Sequence, residues 1–216
     1  MKPYFLTCAI FLLCAAPLVG QSSPAAVATI KSVVHTNDIG FAYALPSDWN
    51  VLDMAPALPV IKQNNTQKAE SDAEKKGVNC AQIALTARKG QPASVVVVMA
   101  LPFDCFGQRM TDNDLPAFGM GAAEGIQRKF NVSTPAYSAY SLGGHNFWIE
   151  RAQGTLKEHP EVQYTVEATC TILKKGAACW LMLAADDDAL RTIEKGAIIL
   201  DGDTAPELVP ATAFTK

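Results

Sequence analysis

The chain predicts an α+β fold built on an antiparallel sheet, and three stretches carry that prediction. Over residues 162–173, Val162, Tyr164, Val166, Ala168, Cys170 and Ile172 fall on one face and Gln163, Thr165, Glu167, Thr169 and Thr171 on the other. Strict alternation of this kind is the signature of a half-buried strand. After a turn at Lys174, Lys175 and Gly176, residues 179–185 are apolar on both faces, as in a central strand. Over residues 112–130, Leu115, Phe118, Ala122, Ile126 and Phe130 recur at helical spacing and form an amphipathic stripe.

The other elements follow in chain order. Residues 29–36 and 41–45 read as strands. Residues 65–77 read as a helix with Asn65 as its cap and Gly77 at its end, facing solvent because its apolar residues are only alanines. Residues 80–87 and 95–101 form a hairpin across Lys89, Gly90 and Pro92, and residues 137–142 and 145–155 add two more strands. The helix over 112–130 carries Gly119, Gly121 and Gly125, each costing about 1 kcal/mol relative to Ala, so its stripe must find good packing. Residues 187–195 start acidic and end at Lys195 before Gly196, which suits the helix dipole at both ends. Short connections make antiparallel neighbours the rule.

The 216 residues are 49% hydrophobic and 18% charged, an ordinary globular composition of a length suited to one domain. A formal net charge of −3 leaves no basic excess to neutralise phosphates, so nucleic-acid binding is not expected. Residues 1–20 read as a signal peptide. Lys2 precedes an apolar run over 4–16 that Pro17 ends, too short to span a bilayer, and Gly20 suits a cleavage site between Gly20 and Ser22. Cys8 follows Thr7 and Cys14 follows Leu13, neither of them the small residue that lipidation needs. Residues 21–27 read as a flexible lead-in, 28–200 as the domain and 201–216 as a loose tail. No later stretch reaches eighteen consecutive apolar residues, so the mature chain carries no transmembrane segment. The protein is expected to be exported, periplasmic or extracellular.

Cleavage leaves Cys80, Cys105, Cys170 and Cys179, an even set that in an exported chain implies two disulfides, with three possible pairings. The hairpins select one. A four-residue loop from Leu173 to Gly176, with glycine at a left-handed last position, sets Cys170 opposite Cys179, Ala168 opposite Leu181 and Val166 opposite Leu183. The earlier hairpin sets Cys80 beside Cys105 at its open end. Loop entropy puts the two bridges at about 2.7 kcal/mol for Cys170–Cys179 and about 3.5 kcal/mol for Cys80–Cys105. A bridge between directly opposed residues requires a non-hydrogen-bonded pair.

Chemical motifs are few. Gly119 and Gly121 open a dinucleotide-like spacing, but Glu124 stands where the third glycine belongs and the stretch lies within a helix, so the glycines are expected to allow close helix–sheet packing. Asp186, Asp187 and Asp188 lack the spacing of a calcium loop and are expected to cap the following helix. His35, His145 and His159 share no helical face, and the cysteines have no CxxC spacing, so neither a metal nor another cofactor is expected. No nucleophile elbow, zinc-protease motif or phosphate loop is present. Asn64-Asn65-Thr66 and Asn131-Val132-Ser133 match the glycosylation pattern.

Two segments resemble the PsbP-like family. Residues 41–49, FAYALPSDW, resemble its opening strand and P-x-x-W turn. Residues 147–200, with a strand, a long hairpin, an acidic cap, a helix and a short final strand, resemble its C-terminal half. The likeness spans residues 41–200 and implies an antiparallel sheet between helices, an α/β/α sandwich. Such proteins are mostly accessory subunits and binding modules. This chain departs from the pattern in its polar insertion near 64–77 and its four cysteines. A fold shared by so many roles does not carry one specific role with it.

These readings together predict a non-enzymatic binding or accessory module of the cell envelope, with an envelope protein or a small ligand as partner. The rival readings are a secreted hydrolase with dispersed catalytic residues and a carrier of lipid or another small ligand on an apolar sheet face. Trp49, Phe103 and Phe106 follow strand ends and form the candidate interaction surface, since aromatic residues presented on loops anchor interfaces.

Overall fold

The alternating stretch and the doubly apolar run after it form the central hairpin of the sheet. A computed structural model describes residues 32–69, 71–105, 109–127, 129–142 and 144–199. The segments read as signal peptide, lead-in and tail lie outside these described residues. In the hairpin, β9 (His159–Ile172) pairs antiparallel with β10 (Gly176–Ala184), with Cys170 opposite Cys179, Ala168 opposite Leu181 and Val166 opposite Leu183, as the sequence predicts. The role of Gly176 is different. Its φ is not left-handed; a Cβ there would stand 2.6 Å from the Leu101 carbonyl oxygen, so glycine is needed for close strand approach.

The remaining strands are β1 (Ser32–Asn37), β2 (Phe41–Pro46), β3 (Asn50–Val51), β4 (Gln82–Lys89), β5 (Ser94–Pro102), β6 (Phe130–Val132), β7 (Ala136–Leu142), β8 (His145–Leu156) and β11 (Ala197–Ile199). The main sheet runs β3-β4-β5-β10-β9-β8-β6, with β7 also on β8, and its pairings are antiparallel. A smaller sheet runs β1-β2-β11. β3 and β6, two and three residues long, are too short to show a period in sequence.

Alternation along the strands sorts side chains onto two faces. Val97, Met99, Leu101, Ala168, Leu181 and Trp148 are buried on the face covered by α3 (Leu115–Gln127). Val96, Val98, Phe147, Trp180 and Met182 point the other way, against Phe41, Tyr43 and Leu45 of β2 and Leu190 and Ile193 of α4 (Asp187–Glu194). The molecule is therefore α+β with helices on both faces of an antiparallel sheet, and the β1-β2-β11 sheet shares the second layer with α4. Trp180 anchors that layer, with Phe41 stacked at 5.5 Å and Phe147 edge-on at 5.8 Å. Each such fully buried ring contributes about 1.5–3 kcal/mol of transfer free energy.

The helix predicted over 65–77 is two helices, α1 (Leu58–Lys68) and α2 (Asp72–Cys80). Asn65 is buried inside α1 and is not its cap. α1 starts earlier because Pro59 occupies its first turn, where a missing N–H costs nothing. The acidic cap of α4 is as expected: Asp186 Oδ1 accepts from the Ala189 N–H at 2.7 Å. Among the described residues no helix is long and apolar enough to cross a membrane.

Candidate functional site

Two of the three aromatic residues read from the sequence as a surface, Trp49 and Phe103, are core. Trp49 is 5% exposed and Phe103 6%, and Phe106 lies outside the described residues. The turn after β2 folds Trp49 inward, its N–H donating to the Pro46 carbonyl at 3.1 Å, and the ring joins the cluster around Trp180. Phe103 is held by its N–H to the Lys175 carbonyl at 3.0 Å and closes the cluster beneath α3. Both residues follow strands, but both strands end over apolar surface, so the rings turn into the core.

Of the two expected bridges, Cys170–Cys179 is formed, with a Cα–Cα distance of 4.2 Å. That short separation is typical of a non-hydrogen-bonded antiparallel pair, the geometry such a bridge requires. Cys80 and Cys105 are free thiols. The β4–β5 register, Lys89 opposite Ser94 and Gln82 opposite Ala100 with a bulge between Ile83 and Leu85, ends before Cys80. Cys80 is instead the last residue of α2, and Cys105 ends a 3-10 turn after β5. The two still meet: Cys105 Sγ lies 4.0 Å from the Cys80 carbonyl oxygen. Burial, and then the neighbouring Cys105 thiol, push the Cys80 thiol up to about 11.

The polar face of β9 is solvated only at its start, where Gln163 is exposed and Thr165 half-buried. Glu167, Thr169 and Thr171 are buried beneath the second layer. Arg151 of β8 bonds both Glu167 and Glu194 of α4, Arg191 reaches Glu194 at 3.2 Å, and Thr169 Oγ1 donates to Glu167 at 3.1 Å. Burial pushes Glu167 up to about 7 against the lowering effect of Arg151, with Glu194 pushing the same way as burial. Glu194 is raised by burial as well, opposed by Arg151 and Arg191. Tyr43, which donates to the Ile193 carbonyl, is raised well above its ordinary value by burial and then by the two carboxylates. Every charge in this network has an opposite partner, so it ties α4 to the sheet. Across the sheet, Gln127 of α3 bonds Glu150.

An open hollow of about 280 Å³ lies between the start of α3 and the β7–β8 edge. Leu115, Pro116 and Trp148 form its apolar walls, and Asp112, Asn146 and Ser141 its polar edge. Ser141 and Asn146 face each other across β7 and β8, and the Ser141 hydroxyl donates to Asn146 Oδ1. Asn146 Nδ2 in turn donates to Asp112 Oδ2 at 2.6 Å. Beside the hollow, Tyr137 is 55% exposed with its ring 5.7 Å from that of Trp148. This hydrogen-bonded chain was not legible in the sequence, because its members come from three separate elements and match no motif.

His145 bonds the Ile172 carbonyl and His159 contacts Glu161, so they serve separate local structures. No cluster of three or more His, Cys, Asp or Glu suited to a metal occurs among the described residues.

No family model and no curated protein sequence matches the chain. Among solved structures it is similar to LpqN of Mycobacterium tuberculosis, a protein involved in cell envelope biogenesis, at 18% identity and a TM-score of 0.39, over 80% of this chain and 92% of that one. It is also similar to cyanobacterial PsbP (CyanoP) from Synechocystis sp. PCC 6803, at 12% identity and a TM-score of 0.45, over 82% of this chain and 98% of that one. The second of these structures is of the family that residues 41–49 and 147–200 resemble.

Proposed function

We propose that this protein is an exported, non-enzymatic binding module of the cell envelope, and that its ligand seats in the hollow beside Trp148. The observation that carries the reading is the Ser141–Asn146–Asp112 chain. The Ser141 proton is donated to a carboxamide oxygen, which cannot take it up as a general base does. Asp112 orients that carboxamide through its Nδ2–H and activates no nucleophile. What the chain offers is a fixed set of donors and acceptors beside apolar walls, the usual composition of a recognition site. The ligand it suits is small, with hydroxyl or amide groups along one edge and an apolar face for the wall. Export is supported by the apolar run over 4–16 and by the Cys170–Cys179 bridge, which an oxidising compartment maintains.

Calorimetric titration of the purified protein with short glycans and peptides from envelope polymers tests the proposal. Binding is expected, and Asn146→Ala is expected to weaken it roughly tenfold, the cost of a lost hydrogen bond of about 1.4 kcal/mol. Binding unchanged in both Asn146→Ala and Tyr137→Ala would place the ligand elsewhere. Turnover of ester, phosphate, glycoside or peptide substrates that Ser141→Ala abolishes would make the protein an enzyme.

A further inference from the structure

The thiols of Cys80 and Cys105 meet where α2 ends and β5 has just ended, and neither belongs to the hollow. They are 25 residues apart in sequence, so a bond between them would cross-link α2 to the turn on the far side of the β4–β5 hairpin. Both are half-buried and within reach of solvent, whereas Cys170 and Cys179 are 0% and 1% exposed. The helical pair that Cys80 terminates has a thin apolar anchorage. In α1, Val60 is 58% exposed; in α2, Val78 is buried. Lys62 Nζ donates to the Asn79 carbonyl at 2.8 Å, which ties α1 to α2 but not to the sheet.

We propose that Cys80 and Cys105 form a reversible dithiol latch: oxidation joins them and fixes the α1–α2 pair to the end of β5, and reduction frees that pair while Cys170–Cys179 stays closed. The oxidant is a disulfide, either a low-molecular-weight one or that of an exported thiol–disulfide exchange protein. One protein thiol loses its proton, and its thiolate attacks a sulfur of the oxidant and expels the other as a thiolate. The second protein thiolate then attacks the mixed disulfide at the protein sulfur. The Cys80–Cys105 bond forms, the oxidant's S–S bond breaks, two electrons pass to the oxidant, and its two sulfurs leave as thiols carrying the two protons. Lys62 and Lys76 act on Cys80 to favour its thiolate, against burial. With Cys105 Sγ already 4.0 Å from the backbone of Cys80, closure needs no large rearrangement.

The test uses the full chain equilibrated in glutathione buffers of graded thiol-to-disulfide ratio, alkylated, and mapped by peptide mass spectrometry. The expected result is a Cys80–Cys105 bridge in oxidising buffer that opens at a lower thiol-to-disulfide ratio than Cys170–Cys179. Opening it should speed tryptic cleavage at Lys75 and Lys76 by roughly tenfold relative to cleavage at Lys157, as expected when a local segment is released. A Cys80→Ser/Cys105→Ser variant should be cleaved at the fast rate in every buffer. Thiols that remain alkylatable in oxidising buffer would overturn the bridge, and cleavage that does not respond to it would overturn the latch. If the double variant fails to fold, the unaltered chain supplies both readouts.

Discussion

Gly119 of α3 lies directly on the indole of Trp148 in β8: a Cβ at position 119 would stand 2.1 Å from Trp148 Cε3. The glycine that weakens the helix as a helix is thus the one that lets it settle on the sheet. Gly119→Ala should gain about 1 kcal/mol in helix propensity and lose about 3 kcal/mol to overpacking, because Trp148 is confined and 7% exposed. Urea denaturation should therefore show a net loss of roughly 2 kcal/mol. A neutral or stabilised variant would mean that the indole moves aside without cost.

The β9–β10 hairpin was legible because hydrophobic alternation fixes which side chains share a face, and the loop length then sets the register. Trp49 and Phe103 were placed on strand ends correctly, but local sequence does not say whether an end overhangs solvent or core. The buried polar network was hidden for a related reason. Glu167, Thr169 and Thr171 have the composition of a solvated face, and only the second layer buries them. The compensating charge for Glu167 comes from Arg151, 16 residues away, which also bonds Glu194, 43 residues beyond it. Pairing at such separations leaves no periodic trace.

That network should make stability fall as pH rises. Glu167 in the folded protein is pushed up to about 7 by burial, above its ordinary 4.5, and Glu150 and Glu194 are shifted the same way. Between those two values the folded state holds a proton that the unfolded state has released. The stabilisation is fully present below the unfolded pKa and is lost as pH rises through the folded one. The limiting slope for one such group is on the order of 1 kcal/mol per pH unit. Denaturation midpoints should be higher at pH 5 than at pH 7.5, and Glu167→Gln should flatten the difference. A profile that Glu167→Gln leaves as steep would assign the proton elsewhere.

The Cys170–Cys179 bridge crosses two strands already paired in the middle of the sheet, so its effect lies mainly in the unfolded chain. Closing a loop of roughly 10 residues predicts a loss of about 2.7 kcal/mol in a Cys170→Ala/Cys179→Ala variant. Alanine is the informative replacement, since serine would add hydroxyls that need partners in an apolar layer. Calorimetry on the oxidised protein and the variant measures the difference. A loss well under 1 kcal/mol would show that the unfolded chain is already restrained there.

Trp49 separates packing from polarity at one side chain. Its ring fills the cluster around Trp180, but its Nε1–H is buried with no hydrogen-bond partner among the described residues. Trp49→Ala removes the ring and should cost about 3–5 kcal/mol. Trp49→Phe keeps an aromatic body and deletes the orphan donor, whose burial alone costs about 1–3 kcal/mol. The smaller ring leaves some space, so the two effects oppose, and Trp49→Phe should stay within about 1 kcal/mol of the parent. Chemical denaturation of the three proteins measures both steps. A Phe variant as damaged as the Ala variant would mean that the indole N–H has a partner in solution, or that the pocket tolerates no loss of volume. Neither replacement should alter the binding proposed for the hollow beside Trp148, because Trp49 packs in the layer on the opposite face of the sheet.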